Sequence, residues 1–432
     1  MRGVTNAAIP AARRGRPVAH YGMLEERTPE ELRAWLRLAL EPGLGRGSAR
    51  QLLSALGLPH HALAAGAPTL ARHLPRELAL QLAEPPSAEV ATGIESAMQM
   101  LTLPGHQLIT LADPHYPATL FDCGDPPLIL FVRGDVALLQ RPSIAVVGAR
   151  SATPGGCDDA RAFARYLAER GWAIVSGLAR GIDAAAHEGA LQAGPQGGRT
   201  IAVLAGGLDA IYPPRHAGLA EQIATHGALV TEYPPGTPAQ PFRFPDRNRL
   251  VAALSRGVLV VEAAAQSGSL ITARLALEYG REVFAIPGSI HAPLSRGCHA
   301  LIRQGAKLVE QGRDIEEELQ RSGPVPQPGA GHGTAMQPEL PGWLAARDTG
   351  SRTAAGPRTS KRPVNRMLKD PVITRVLDAL GYDPADTDTL CRRSGLEFSR
   401  VAAALTELEL NSVVQRLDDG RYQRRQQGII YG

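Results

Sequence analysis

Cysteine, lysine and long apolar runs are what this chain of 432 residues has least of. Cys123, Cys157, Cys298 and Cys391 lie far apart and form no CxxC pair. Neither a disulfide framework nor a metal site is expected, and a reducing cytoplasm fits. Lysine occurs only at Lys307, Lys361 and Lys369, so arginine carries nearly all the positive charge. Compositional bias of an arginine-rich, alanine-rich proteome explains this better than selection for phosphate contacts. No glycine turn carries a Gly-Lys-Ser/Thr phosphate motif, and no serine or cysteine sits in a nucleophile elbow. No apolar run approaches the roughly 18 residues of a membrane span. The N-terminus, with Arg13, Arg14 and Arg16, lacks the apolar stretch of a signal peptide. Residues 1–27 read as a disordered basic tail or an over-long start, with Met23 an alternative initiator. The net charge of +4 permits a nucleic-acid partner without arguing for one.

What is present is one device, repeated. WAIVSGLARGIDAAAH at Trp172–His187 reads as strand, glycine turn, basic residue and helix. Ala173–Val175 suits a strand buried on both faces. Gly177 and Gly181 let the backbone turn, and the following helix offers free N–H groups there, with Arg180 alongside. Such a helix start is an anion site. Asp183 has a plain explanation in the same geometry, since carboxylates stabilise helix starts. The device recurs at Ile144–Val147 before Gly148, Ala149 and Arg150, and at Ile201–Leu204 before Gly206 and Gly207. It recurs again at Leu229–Val230 before Glu232, at Val258–Val261 before Ser267, Gly268 and Ser269, and at Val283–Ile286 before Gly288. Helix-like stretches at 158–170, 182–193, 215–225 and 270–279 alternate with these runs. The alternation predicts an α/β fold: an extended Rossmann-like, doubly wound, mostly parallel sheet whose ligand sits at the carboxyl ends of the strands.

The flanks read differently. Thr28, Pro29 and Glu31 form a helix-start signal, and Pro42–Gly45 breaks that helix before a second one. Residues 28–101 are thus an N-terminal helical domain of the helix-hairpin-helix or sterile-alpha-motif type. Its hairpin either contacts DNA phosphates or belongs to a protein-contact module. The Rossmann-like domain spans 105–320, with Leu128–Val132 as an edge hairpin or extra strand. Residues 321–365, rich in Pro, Gly, Ala and Thr, are expected to be a flexible linker. Helices at 372–380, 387–393 and 399–410 and a hairpin around Asp418–Gly420 predict a C-terminal winged helix at 366–425. Its expected recognition helix carries Arg400 as a lone base beside Glu397, Glu407 and Glu409, so a protein-contact or dimerisation role is favoured over DNA reading.

FRFPDRNRLVAAL at Phe242–Leu254 interleaves Arg243, Arg247 and Arg249 with Phe242 and Phe244. That pattern suits single-stranded nucleic acid, where arginines track phosphates and rings stack on bases. Arg247, Asn248 and Arg249 are expected to open the next helix. The alternative is that the phenylalanines are core anchors and the arginines a solvated face.

VVGAR at Val146–Arg150, VSGLARGIDAAAH at Val175–His187, IAVLAGGLDAIYP at Ile201–Pro213, TEYPPG at Thr231–Gly236, FPDRNR at Phe244–Arg249, SGSLITA at Ser267–Ala273 and IPG at Ile286–Gly288 occur in series. Together they resemble the DNA-processing protein A family, also called Smf. The resemblance implies a core that binds single-stranded DNA, forms a homodimer, protects incoming DNA and loads the RecA recombinase during natural transformation and recombination, with no cofactor. It places DNA contacts at Gly148, Arg150, Gly177, Arg180, Gly181, Gly207, Arg215, Arg243, Phe244, Arg247, Asn248, Arg249, Ser267, Gly268 and Ser269. Ala149 stands where the family has serine, and Arg215 lies one residue later than the family's basic position. The competing expectation is a nucleotide-binding enzyme of phosphoribohydrolase type, with Asp183, His187, Glu232 or Glu262 as acid–base groups. Against it, IPGSIHAPLSRG lacks the PGGxGT phosphate motif.

Overall fold

The structure, a computed structural model, describes residues 27–321, 370–411, 413–417 and 419–424. The expected tail before Arg27 and the expected linker after Arg321 lie outside these residues.

Six helices come first: α1 (Pro29–Leu40), α2 (Arg46–Leu56), α3 (Pro59–Ala64), α4 (Gly66–Leu70), α5 (Arg76–Ala83) and α6 (Ala88–Met100). The start of α1 is a capping box, in which Thr28 Oγ1 accepts from Glu31 N at 3.3 Å and the Glu31 carboxylate accepts from Thr28 N at 3.3 Å. A cap of this kind contributes about 1 kcal/mol. Leu36, Leu38, Leu52 and Leu70, all fully buried, fill the space between the helices. Their core is continuous with Phe131, Leu204, Leu208 and Ile223 from the sheet and its flank, so the helical module is packed onto the body of the protein.

The sheet has nine strands: β1 (His106–Thr110), β2 (Ile129–Gly134), β3 (Ser143–Val147), β4 (Ala173–Ser176), β5 (Thr200–Val203), β6 (Ala228–Thr231), β7 (Gly257–Val260), β8 (Glu282–Ala285) and β9 (Lys307–Leu308). They lie in the order β1-β2-β6-β5-β4-β3-β7-β8-β9. Strands β6 to β9 in that order are parallel, whereas β2 runs antiparallel to both β1 and β6. The expected extra strand at 128–132 is therefore β2, which with β1 forms an antiparallel edge. Helices α7 (Pro154–Glu169), α8 (Ile182–Gln192), α9 (Ala217–His226), α10 (Arg243–Leu254), α11 (Ser269–Glu278), α12 (Arg296–Arg303) and α13 (Gly312–Arg321) cover the sheet. The period of two along a strand assigns each residue to a face. On β3, Ala145 and Val147 join the core beneath α10 and α11, while Ile144 and Val146 join the core beneath α7 and α8.

The chain steps from β3 through β4 and β5 to β6, then crosses to β7 and continues the other way to β9. The reversal lies between β3 and β7, so their carboxyl ends form the crevice where a sheet of this kind places a ligand. Arg215 sits in a short 3-10 turn, Pro214–His216, ahead of α9, not inside the helix as expected. Helix α10 likewise starts at Arg243, four residues before the expected opening at Arg247, because Phe242 and Arg243 already take up helical geometry.

From Asp370 onward, α14 (Pro371–Leu380), α15 (Thr387–Ser394) and α16 (Phe398–Leu410) close a separate core with a hairpin of β10 (Val414–Arg416) and β11 (Tyr422–Arg424). This is the winged helix. Its Arg393 Nε reaches Asp158 Oδ2 on α7 at 3.0 Å.

Candidate nucleic-acid interface

The turns after the strands are packed against one another, and glycine is what allows it. A Cβ on Gly148 would lie 2.6 Å from Ile182 Cγ1, and one on Gly181, at φ 73°, would lie 2.3 Å from Ala149 O. The Gly148–Arg150 turn thus abuts the Arg180–Gly181 turn. Gly207 is confined similarly, with a Cβ there falling 2.8 Å from Pro234 O.

Arg247 and Arg249 are turned inward, which corrects the expectation that both lie on the DNA-facing surface. Arg247 is 3% exposed and Arg249 7% exposed. Arg247 Nη1 donates to Gly177 O at 2.5 Å and also to Val203 O, so one guanidinium ties the ends of β4 and β5 from beneath. Burial lowers its pKa to about 10 against the pull of Asp183, which leaves it cationic at neutral pH. A Cβ on Gly177 would lie 2.2 Å from that Nη1, so glycine is required there by the arginine as much as by the turn. Arg249 pairs with Glu232, donates to Asp125 O at 2.6 Å and lies 3.4 Å from Asp246 Oδ1. The physical reason is spacing: Arg243 and Arg247 are one helical turn apart, yet α10 carries its later turns under the strand ends.

The anion sites expected at the helix starts are filled by the protein's own carboxylates. Asp183 Oδ2 accepts from Gly177 N at 3.1 Å and from Ala179 N at 3.4 Å. Glu262 does the same at α7, accepting from Thr153 N at 2.9 Å and from Thr153 Oγ1 at 2.6 Å. Asp209 accepts from Gly236 N at 2.8 Å. Hydrogen bonds of this charged kind contribute about 1.5–3 kcal/mol each. Glu262, two residues after β7, thereby ties the loop after β3 to the end of β7. Ser267 and Ser269 bond each other through their hydroxyls at 2.7 Å, and Asn248 Nδ2 reaches Gly268 O at 3.5 Å. The Ser267–Gly268–Ser269 turn is thereby joined to α10.

What faces solvent is a set of arginines and aromatic rings. The Arg150 guanidinium lies 4.8 Å from the centre of the Phe244 ring, and Phe244 lies 5.5 Å from Tyr212. Arg243 lies 5.1 Å from the Tyr233 ring and 5.3 Å from Phe242, and also donates to Pro238 O. Phe242 is 66% exposed and Tyr212 53% exposed. Apolar rings left in water in a cluster mark a binding surface. Among the described residues Arg150, Arg180, Arg215 and Arg243 form no ion pair, in contrast to Arg249, and Arg247 is spent on backbone carbonyls. Tyr212 and Tyr233 carry no local sequence signal for this patch, unlike Phe242 and Phe244 beside the arginines. Tyr212 and Tyr233 come from loops after β5 and β6, and only the parallel sheet brings them to α10.

The acid–base candidates are committed elsewhere. His187 is fully buried and hydrogen-bonded to Thr200 Oγ1 at 2.7 Å, with its pKa lowered to about 3 by burial and by Arg247. Glu232 lies between Arg249 and Arg46. Among the described residues no group of His, Cys, Asp or Glu is placed to hold a metal, and no helix is long and apolar enough to cross a membrane.

Known proteins resemble this chain over the sheet domain and the winged helix. Residues 107–320 match the family model for DNA recombination-mediator protein A, and residues 361–420 match the DprA winged helix domain. Protein Smf of Escherichia coli is 50% identical over 228 residues, 52% of this chain and 60% of that protein. Protein Smf of Synechocystis is 37% identical over 327 residues, 74% of this chain and 80% of that protein. The structure of DNA processing protein A from Streptococcus pneumoniae superposes with a TM-score of 0.57 at 36% identity, covering 68% of this chain and 99% of that one. The chain therefore belongs to the DNA recombination-mediator protein A family, also called DNA-processing protein A or Smf.

Proposed function

We propose that the protein binds single-stranded DNA without sequence preference across the carboxyl ends of its strands, and that it protects incoming strands and loads RecA onto them during natural transformation. The observation that carries this reading is the pairing of arginines with rings, exposed at Arg150, Tyr212 and Phe242 and half-buried at Phe244, Arg243 and Tyr233. Unpaired bases stack on such rings at about 1–3 kcal/mol per base, and a duplex hides its base faces from them. Arg150, Arg180, Arg215 and Arg243 take the phosphates, while Gly148, Gly177, Gly181 and Gly207 shape the floor. Asn248 and Ser267–Ser269 set the position of the neighbouring turn. Arg247 and Arg249 support the surface from below.

The proposed role is that of a non-enzymatic, cytoplasmic homodimer. Support comes from the fate of the polar groups an enzyme would use: Glu262 caps α7, Asp183 caps the β4 turn, Glu232 is in an ion-pair cluster and His187 is sealed from solvent. Fluorescence anisotropy with labelled oligo-dT and a matched duplex, beside an AMP hydrolysis assay, tests the reading. Tight binding to the single strand alone, with no product from AMP, is expected. Equal binding of the duplex, or turnover of AMP, overturns it. RecA filament assembly on strands coated by a single-strand-binding protein then tests loading, with faster assembly expected.

A further inference from the structure

Arg46 is the first residue of α2, beyond the glycine break that the sequence marks as a possible DNA-contacting hairpin. It leaves the helical module and enters a cluster of core carboxylates. Its Nη1 lies 2.7 Å from Asp125 Oδ2, its Nε 3.2 Å from Glu232 Oε2 and its Nη2 3.0 Å from Asp246 Oδ2. Three of the guanidinium's five N–H donors, one on each nitrogen, are thus committed to carboxylates. Burial alone would lower its pKa, but Glu232, Asp125 and Asp246 outweigh that and raise it above the usual arginine value. Asp246 in turn accepts from the Tyr233 hydroxyl at 2.9 Å, and the Tyr233 ring carries Arg243 at 5.1 Å.

We infer that Arg46 is a positioning residue for DNA binding: it holds Asp246, Asp246 holds the Tyr233 hydroxyl, and the Tyr233 ring sets Arg243 in the exposed patch. The inference rests on the single-strand reading above and extends it to the helical module, which acts through this ion-pair cluster and not through a phosphate contact of its own. The electrostatics favour it. Without Arg46, the carboxylates of Asp125, Glu232 and Asp246 are left to Arg249 and to Arg50, whose Nη2 is 3.6 Å from Asp125 Oδ1. Glu232 Oε1 is already buried without a hydrogen-bond partner, so the cluster has no spare donor to absorb the change. Like charges at this separation repel strongly in a half-buried setting, and Asp246, the more exposed of the pair with Glu232, is the one free to move.

The test uses the full-length chain in four forms beside wild type: Arg46→Ala, Arg46→Lys, Tyr233→Phe and the double variant Arg46→Ala/Tyr233→Phe. Binding of labelled oligo-dT is followed by anisotropy over a salt series, at a temperature where each form is shown to be folded by circular dichroism. Arg46→Ala is expected to weaken binding roughly fivefold, a fraction of what one stacked base contributes. Arg46→Lys should recover part of that loss. Tyr233→Phe should weaken binding to a similar degree, and the double variant should bind no worse than the weaker single, because both changes cut one chain of contacts. The log–log salt slope should not change. Unaltered affinity in Arg46→Ala overturns the inference, as does additivity with Tyr233→Phe. A slope shallower by about 0.7 would mean that Arg46 touches a phosphate itself. If Arg46→Ala does not fold, the cycle between Arg46→Lys and Tyr233→Phe decides by the same criteria. Wild-type protein that fails to bind the single strand contradicts the parent reading instead, and is seen before any variant is made.

Discussion

Arg243 and Arg247 are one turn apart on the same helix and have opposite surroundings. Arg243 lies on two aromatic rings at the surface with no ion pair among the described residues, while Arg247 is sealed under the β4 and β5 turns and bonded to two backbone carbonyls. In this sheet an arginine near a ligand surface has two uses. It supplies charge outward, or it satisfies the carbonyls that a sharp glycine turn leaves without partners. Burial separates the two uses, and residue type does not.

The sharpest way to break the comparison is to remove each arginine in turn. Arg247→Ala leaves Gly177 O and Val203 O unbonded and Asp183 buried without its cation, and is expected to cost about 3–5 kcal/mol in chemical denaturation. Arg243→Ala should stay within about 0.5 kcal/mol of wild type in the same experiment. Equal losses for the two would dissolve the distinction.

The aromatic partners sharpen it next. Phe244→Ala removes the ring beneath Arg150 and should cost about 1–3 kcal/mol in oligo-dT binding. Tyr212→Ala should follow in the same direction, and Tyr212→Phe should bind like wild type because the ring, not the hydroxyl, is the stacking surface. Oligo-dT titration of the three variants reads this directly.

Glu262 tests the other half of the comparison, the polar groups turned inward. Glu262→Ala unbonds Thr153 and should lower stability by about 1.5–3 kcal/mol or more, visible as a lower melting temperature, with oligo-dT affinity changed less than about twofold. A large loss of affinity would place Glu262 in the binding surface.

His187 adds a pH dependence to the inward-turned groups. His187 has its folded pKa lowered to about 3 by burial, whereas an unfolded histidine titrates near about 6.5. Below that unfolded value only the unfolded chain takes the proton, so His187 makes stability fall with pH from about 6.5 towards about 3, by at most about 1.4 kcal/mol per unit. His187→Asn lacks that term. Its stability relative to wild type should therefore improve as pH drops from 6.5 to 4.5 in urea titrations, on the order of that slope. A constant difference would show that His187 is protonated in the folded protein.

Much of the fold was legible because it is written in local patterns. Alternating apolar runs and glycine turns located β3 to β8 to within a residue or two, and Thr28, Pro29 and Glu31 located the start of α1. The candidate site was only half legible. The motif FPDRNR named the segment, but whether an arginine within it points outward depends on the sheet it crosses, and the interleaving of arginines with rings, like the resemblance, does not distinguish the buried Arg247 and Arg249 from the outer Arg243. The helix starts misled for a related reason: an exposed amide invites an anion, and Asp183 and Glu262 are the anions that arrive first. Glu262 is far from α7 in sequence, so no local signal reveals it. Arg46 was invisible for the same reason, since its partners at 125, 232 and 246 meet only after folding.

The most direct test of the account compares the salt dependence of oligo-dT binding in wild type, Arg150→Ala, Arg243→Ala and Arg249→Lys. Arg150→Ala and Arg243→Ala should each flatten the log–log slope by about 0.7, the share of one released counterion per phosphate contact on a single strand. Arg249→Lys, which keeps a buried charge and contacts no DNA, should leave the slope unchanged. Unflattened slopes at Arg150 and Arg243, or a slope that flattens at Arg249, would contradict the division between arginines that meet the strand and arginines that hold the surface.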